Sequence, residues 1–285
     1  MEILDGVAGL AARYRGFVLD LWGVVHDGQA AFPGVAEALA RMKASGARIV
    51  FLSNAPRRSH VIEAQLTRFG VDRALYDHAM SSGEITWRML RDRTHPFIQP
   101  LGTRAMFIGT ARDHSVVEDL GITLTDRAEE ADWLLNTGPD PEGARAGVTA
   151  FEPALQAALA RDLPMICVNP DREVVVGGRR IICAGALSER YAALGGRTLE
   201  IGKPDPDAYE PVLQLLDLPR DQVVAIGDSP HTDLAGAQAA GLDAVWALGG
   251  LAAEEGLADA DSATLVARAT AEGVSPIAAL RALRW

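Results

Sequence analysis

Lysine is almost absent from this sequence: of 27 basic residues only Lys43 and Lys203 are lysine, the rest being arginine in an alanine-rich chain. We read the imbalance as a coding bias, which marks a retained lysine as a candidate for chemistry that a compact ammonium does and a planar guanidinium does not. Cysteine is nearly as scarce. Cys167 and Cys183 lie without a CxxC or Cys/His pattern, so a disulfide framework and a structural zinc site are excluded, and two buried thiols in a reducing compartment are expected. No basic run exceeds two residues and the formal charge is −11, which argues against a sequence-independent nucleic-acid binder. No stretch of about 18 apolar residues occurs, and Glu2, Asp5, Arg13 and Arg15 interrupt the beginning of the chain. A cytoplasmic protein with neither a membrane nor a nucleic-acid partner is therefore expected. No GxGxxG follows the first predicted strand, which counts against a nicotinamide-dependent enzyme.

What is present is ordinary globular composition, 48% hydrophobic and 23% charged over 285 residues, a length that suggests two domains. Short β-branched runs alternate with longer segments of helical period, the pattern of a mostly parallel sheet covered by helices. Strands are predicted at Gly16–Asp20, Arg48–Leu52, Arg104–Ile108, Asp132–Asn136, Met165–Val168, Leu199–Ile201, Val223–Ile226 and Ala244–Ala247. Helices are predicted from Pro33-Gly34 to Gly46, Ser59 to Gly70, Pro206 to Leu216 and Thr232 to Gly241. Thr137–Thr149, rich in glycine and proline, reads as a long loop, and Trp87, Trp133 and Trp246 read as core.

Several strands end in residues that carry chemistry, and in open α/β sheets ligands bind outside the carboxyl ends of strands. Asp20 ends the first predicted strand. Ser53 and Asn54 end the second, just ahead of a helix start, where free backbone N–H groups suit an anion. Lys203 stands in Gly202-Lys203-Pro204 at a helix start, as a phosphate partner would. Asp228 and Asp233 share one strand-end loop, and such a pair can hold Mg²⁺ directly and through a bridging group. Lys43, on a helix, reads as a surface residue.

Asp20, Ser53-Asn54, Gly202-Lys203-Pro204 and Gly227-Asp228-x-x-x-Thr232-Asp233, in this order, resemble the four motifs of the haloacid dehalogenase-like (HAD) hydrolase superfamily. With Phe32-Pro33-Gly34, Ser81-Ser82-Gly83 and Asn169-Pro170-Asp171, the long insert resembles its class IIA branch, which includes nitrophenyl-phosphate, nucleotide and pyridoxal-phosphate phosphatases. The resemblance implies an α/β fold: a Rossmann-like core with a parallel sheet, residues 1–93 and 191–285, and a large α/β cap domain, residues 94–190, inserted between the second and third motifs. Specificity would reside in the cap, with Asn169 and Asp171 as candidate substrate contacts, and a homodimer through the cap is left open.

The resemblance further implies that Asp20 is the nucleophile and forms an aspartyl-phosphate. Ser53, Asn54 and Lys203 would bind the phosphoryl group, while Asp20, the main-chain oxygen of Trp22 and Asp228 would ligate Mg²⁺, with Asp233 acting behind them. The substrate would be a small phosphorylated metabolite. One departure matters: family phosphatases carry a second Asp two residues after the nucleophile, as general acid and base, where this sequence has Trp22. An indole cannot exchange a proton near neutral pH. Three outcomes follow: a weak phosphatase that favours good leaving groups, substitution by His26 or Asp27, or a catalytically silent phospho-metabolite binder. A non-phosphatase reaction on the same fold is a further alternative.

Overall fold

The computed structural model describes residues 1–176 and 179–285. Its strands, in chain order, are β1 (Glu2–Leu4), β2 (Gly16–Leu19), β3 (Arg48–Ser53), β4 (His78–Ser81), β5 (Arg104–Ile108), β6 (Thr123–Thr125), β7 (Trp133–Asn136), β8 (Met165–Cys167), β9 (Glu173–Val176), β10 (Arg179–Ile182), β11 (Thr198–Glu200), β12 (Val223–Gly227), β13 (Asp243–Ala247) and β14 (Ala278–Leu280). The chain divides into two compact units. One comprises Met1–Ser53, Ile62–Met80 and Lys203–Trp285, the other Asn54–Val61 and Ser81–Gly202. The second thus begins earlier and ends later than the expected 94–190, because Asn54–Val61 and Ser81–Gly83 are tied to it: Ser81 Oγ donates to Arg57 O, and Ser82 Oγ donates to Ala55 O at 3.1 Å.

The first unit is built on a seven-stranded sheet of order β1-β14-β13-β12-β2-β3-β4. Phe17, Val18 and Leu19 of β2, Ile49, Val50 and Phe51 of β3, and Val224, Ala225 and Ile226 of β12 are all buried, so these strands are apolar on both faces, as strands covered by helices on each side must be. The helix Val35–Ala44 buries Val35, Leu39 and Met42 as its period predicts, and Gly34 and Gly46 flank it at φ 88° and 87°. The predicted Pro206–Leu216 helix opens with a 3₁₀ turn, Pro206–Ala208, before Glu210–Leu216. The second unit carries the parallel sheet β11-β8-β7-β5-β6, and β9 pairs with β10 as an antiparallel ribbon. Successive residues of β7 feed opposite faces: Trp133 and Leu135 join one apolar cluster, Leu134 the other. No helix among the described residues is long and apolar enough to cross a membrane.

Three expectations are corrected. Within Thr137–Thr149 a helix forms over Pro141–Ala146, capped by Asp140, whose side chain accepts from Gly143 N at 2.7 Å. Trp87 is half-buried rather than core, its ring lying 3.7 Å from the Arg58 guanidinium and 4.9 Å from that of Arg91. Lys43 is half-buried and donates to Asp77 Oδ1 at 2.6 Å, while Asp77 Oδ2 accepts from Ile49 N at 2.7 Å. That carboxylate joins a helix to β3, and its hydrogen bonds from Lys43 and Ile49 hold its pKa below the usual value although burial opposes them. An acid with a lowered folded pKa adds stability above its unfolded pKa and loses it as pH falls through the folded one. Asp77→Asn is therefore expected to cost about 1 kcal/mol at neutral pH and progressively less in acid, as denaturant titrations along a pH series would show.

Candidate active site

Parallel pairing brings three strand ends to one edge. Ile226 lies opposite Leu19, and Leu19 opposite Phe51, so Asp228, Asp20 and Ser53 all follow or end neighbouring strands on the carboxyl side of the sheet. Asp20 N still donates to Ile226 O at 2.9 Å, which fixes the residue at the point where the ladder stops. Lys203 meets them there. Its Nζ donates to Asp20 Oδ1 at 2.7 Å, Asp233 Oδ1 at 2.6 Å and Leu52 O at 2.9 Å, which accounts for the three donors of an ammonium. Burial alone would push that ammonium toward neutrality, but Asp20 and Asp233 more than offset it, and its pKa stands well above the ordinary lysine value.

Asp228 and Asp233 are held by backbone. Asp228 Oδ2 accepts from Leu251 N at 2.8 Å, Asp233 Oδ2 from Ser229 N at 3.1 Å, and Tyr209 Oη donates to Asp233 O at 3.0 Å. Burial first, and then the negative charges of Asp20 and Asp233, raise the Asp228 carboxyl far above the usual carboxylate range. One oxygen from each of the three acids lies within 4.8 Å of the others. Three buried carboxylates against one ammonium leave an excess of negative charge that a divalent cation fits, through oxygen ligands of the kind hard cations prefer.

Three glycines make room for these acids: Gly227 of the fourth motif, and Gly23 and Gly250, which the motifs did not single out. A Cβ on Gly23 would lie 2.2 Å from Asp228 Oδ2, one on Gly250 1.9 Å from the same atom, and one on Gly227 2.1 Å from Asp233 Cγ. For Gly250 the available signal is the Gly249-Gly250 pair, which begins two residues after the end of β13. Gly23→Ala, also strained by its φ of 79°, is expected to displace the Asp228 carboxylate and weaken divalent-cation binding about tenfold or more, as calorimetric titration would register.

Of the other candidates, Trp22 is half-buried with its ring over Gly28, where a Cβ would come within 2.3 Å of the indole. His26 is buried, meets the Trp22 and Phe69 rings edge-on at 5.8 and 5.2 Å, and its Nδ1 accepts from Gly28 N at 3.1 Å. Asp27 is exposed and accepts from Gln29 N and Ala30 N, bonds that lower its pKa, so it is a turn former. His231, at a variable position of the fourth motif to which no catalytic role is assigned, is exposed and lies 3.3 Å from Glu272. Within the second unit, Asn54 Nδ2 donates to Asp171 Oδ1 at 2.9 Å, and Asn169 Oδ1 accepts from Asp171 N at 3.0 Å. Those three expected substrate contacts are thus linked to one another.

Comparison with known proteins gives a consistent result. Residues 17–123 match the haloacid dehalogenase-like hydrolase family, and residues 200–272 match a second, HAD-hydrolase-like family. A solved haloacid dehalogenase-like hydrolase from Brucella suis is 33% identical, with a TM-score of 0.83 over 98% of this chain and 99% of that one. Chronophin of Bos taurus is 26% identical over 89% of this chain and 88% of its own, and the 4-nitrophenylphosphatase of Schizosaccharomyces pombe is 23% identical over 88% and 89%.

Proposed function

The chain belongs to the haloacid dehalogenase-like hydrolase family, and from that premise we propose that it is a magnesium-dependent phosphatase that hydrolyses a small phosphomonoester through Asp20. The observation that carries this reading is the buried Lys203 ammonium bonded to both Asp20 and Asp233, with Asp228 in the same cluster. Lys203 fixes one oxygen of Asp20 and offsets part of the repulsion between that carboxylate and an incoming phosphate. In the first step an Asp20 oxygen bonds to phosphorus as the ester P–O bond breaks, giving an aspartyl-phosphate and the leaving group as its oxyanion, which takes its proton from solvent. In the second, water releases inorganic phosphate and restores Asp20. The Ser53 hydroxyl supplies a hydrogen bond to the transferring group. When bound, Mg²⁺ on Asp20, Asp228 and the Trp22 carbonyl would neutralise charge building on the phosphoryl oxygens.

Proton transfer is where this chain departs from its relatives, because the indole of Trp22 cannot protonate the leaving oxygen. Aryl and acyl phosphates, whose leaving groups need little protonation, are the expected substrates. The same residue favours the second reading, a silent phospho-metabolite binder. The two separate when purified protein is incubated with Mg²⁺ and aryl, acyl and sugar phosphates. Phosphate release is expected, with a loss of about 10⁴ or more in Asp20→Asn and a trappable aspartyl-phosphate in the wild type. Release equal to the Asp20→Asn control for every substrate would end the phosphatase reading.

A further inference from the structure

A cavity of about 310 Å³ opens in the first unit and is lined by Val24, Phe32, Leu283, Arg281 and Arg284 together with Gly23 and Gly249. It sits beyond Ala247 and Leu280, where β13 and β14 end. This is the same carboxyl edge at which such sheets bind ligands, but outside the Asp20–Lys203 cluster. Its volume is at the lower end for small-molecule sites, about 300 Å³ upward.

Its two cations are oriented yet poorly neutralised. Arg284 Nε donates to Asp5 O at 2.8 Å, and Arg281 Nη1 donates to Ala258 O. These main-chain oxygens hold the two guanidiniums without cancelling their charge. The acids near them stand off: Asp5 Oδ1 is 3.9 Å from each arginine, and Asp259 Oδ1 is 3.7 Å from Arg281, with both acids exposed. Pairs of that length in solvent contribute little, and a carboxylate bound between two guanidiniums would displace them readily. Val24 and Leu283 are buried and Phe32 is half-buried, so the rest of the lining suits an apolar body.

One residue, Gly23, is common to the cavity and the surroundings of Asp228. Gly23 lines the cavity and also packs against the Asp228 carboxylate, and a Cβ on Gly249 would lie 2.3 Å from Gly23 O. A molecule that presses Gly23 toward the cluster would press on the Asp228 carboxylate, whose Oδ2 is held by Leu251 N. We propose that this cavity binds a small organic monoanion with an apolar body, coupled through Gly23 to Asp228.

The probe is 3-phenylpropionate, titrated calorimetrically into the full chain beside propionate, which lacks the ring, and 3-phenylpropan-1-ol, which lacks the charge. Saturable binding is expected, at least tenfold weaker for each control and for the Arg281→Gln/Arg284→Gln variant. In the wild type, NMR signals of Val24, Phe32 and Leu283 should shift on binding, a readout that needs no variant to fold. Equal affinity for the three compounds, no saturable binding, or shifts confined to other residues would overturn the site. Because coupling is reciprocal and typically changes affinity about 5- to 150-fold, the probe's Kd with and without Mg²⁺ should differ at least fivefold. Identical values would overturn the link to Asp228.

Discussion

Lys203→Met is expected to abolish turnover and to lower stability by about 3–5 kcal/mol, the usual cost of removing one partner from a buried ion pair. The effect should be at the upper end because the ammonium serves two acids at 2.7 and 2.6 Å, with a third carboxylate in the same cluster. Without it, Asp20, Asp228 and Asp233 face one another buried and uncompensated, and the cluster must take up protons to stay folded. The stability loss should therefore shrink as pH falls, when those protons come from solvent, and should be largest in alkaline solution. Divalent cation should restore part of it. Urea titrations of both proteins with EDTA or with Mg²⁺, at several pH values, check each part. A loss under 1 kcal/mol that does not change with pH would mean that the lysine is not the counter-charge of this cluster. Lys203→Arg should fail as well, since a planar fork cannot place three donors on Asp20, Asp233 and Leu52 O from one nitrogen.

The sign of the pH dependence follows from Asp228 in the cation-free wild type. An acid whose folded pKa is raised binds its proton more tightly in the folded state than in the unfolded one. Stability is thus fully present below the unfolded pKa and falls as pH climbs toward the folded pKa. A divalent cation bound there would replace that proton, so the stabilisation it gives should grow across the same rise in pH. Thermal scans at fixed Mg²⁺ across a pH series would show a widening gap between loaded and cation-free protein.

How much of this was legible beforehand depends on what each residue's neighbours are. The runs that became β2, β3 and β12 are apolar on both faces and end in chemical residues, so composition and order located Asp20, Ser53 and Asp228 at strand ends. β1, β6 and β14 are three residues each and were not predicted, whereas the equally short β8 and β11 were. The glycines and prolines of Thr137–Thr149 were read as a loop, yet proline also opens helices and an aspartate such as Asp140 caps them, so local chemistry could not decide. Lys43 looked like a surface residue because its partner, Asp77, lies 34 positions away. Gly23 and Gly250 escaped notice for a related reason: what a Cβ would strike there is an oxygen of Asp228, known only once the chain is folded.

Trp22→Asp is expected to raise the hydrolysis of alkyl phosphates by about 10² to 10⁴, the usual worth of a general acid and base. The rise should be much smaller for aryl phosphates, whose leaving groups depart without a proton. Loss of the indole has a separate cost, since the ring packs over Gly28 and against the edge of His26. Trp22→Ala removes that packing without adding a carboxyl and is the necessary control. If the missing acid limits the wild type, Trp22→Asp should gain rate and show a flatter dependence on leaving-group pKa, while Trp22→Ala stays slow or loses stability alone. The main-chain oxygen of residue 22 is common to all three proteins, so Mg²⁺ affinity should change little among them. Equal rates in Trp22→Asp and Trp22→Ala on alkyl phosphates would show that proton transfer at this position is not what restrains the enzyme. The silent-binder reading would then gain, provided that phosphate itself still bound.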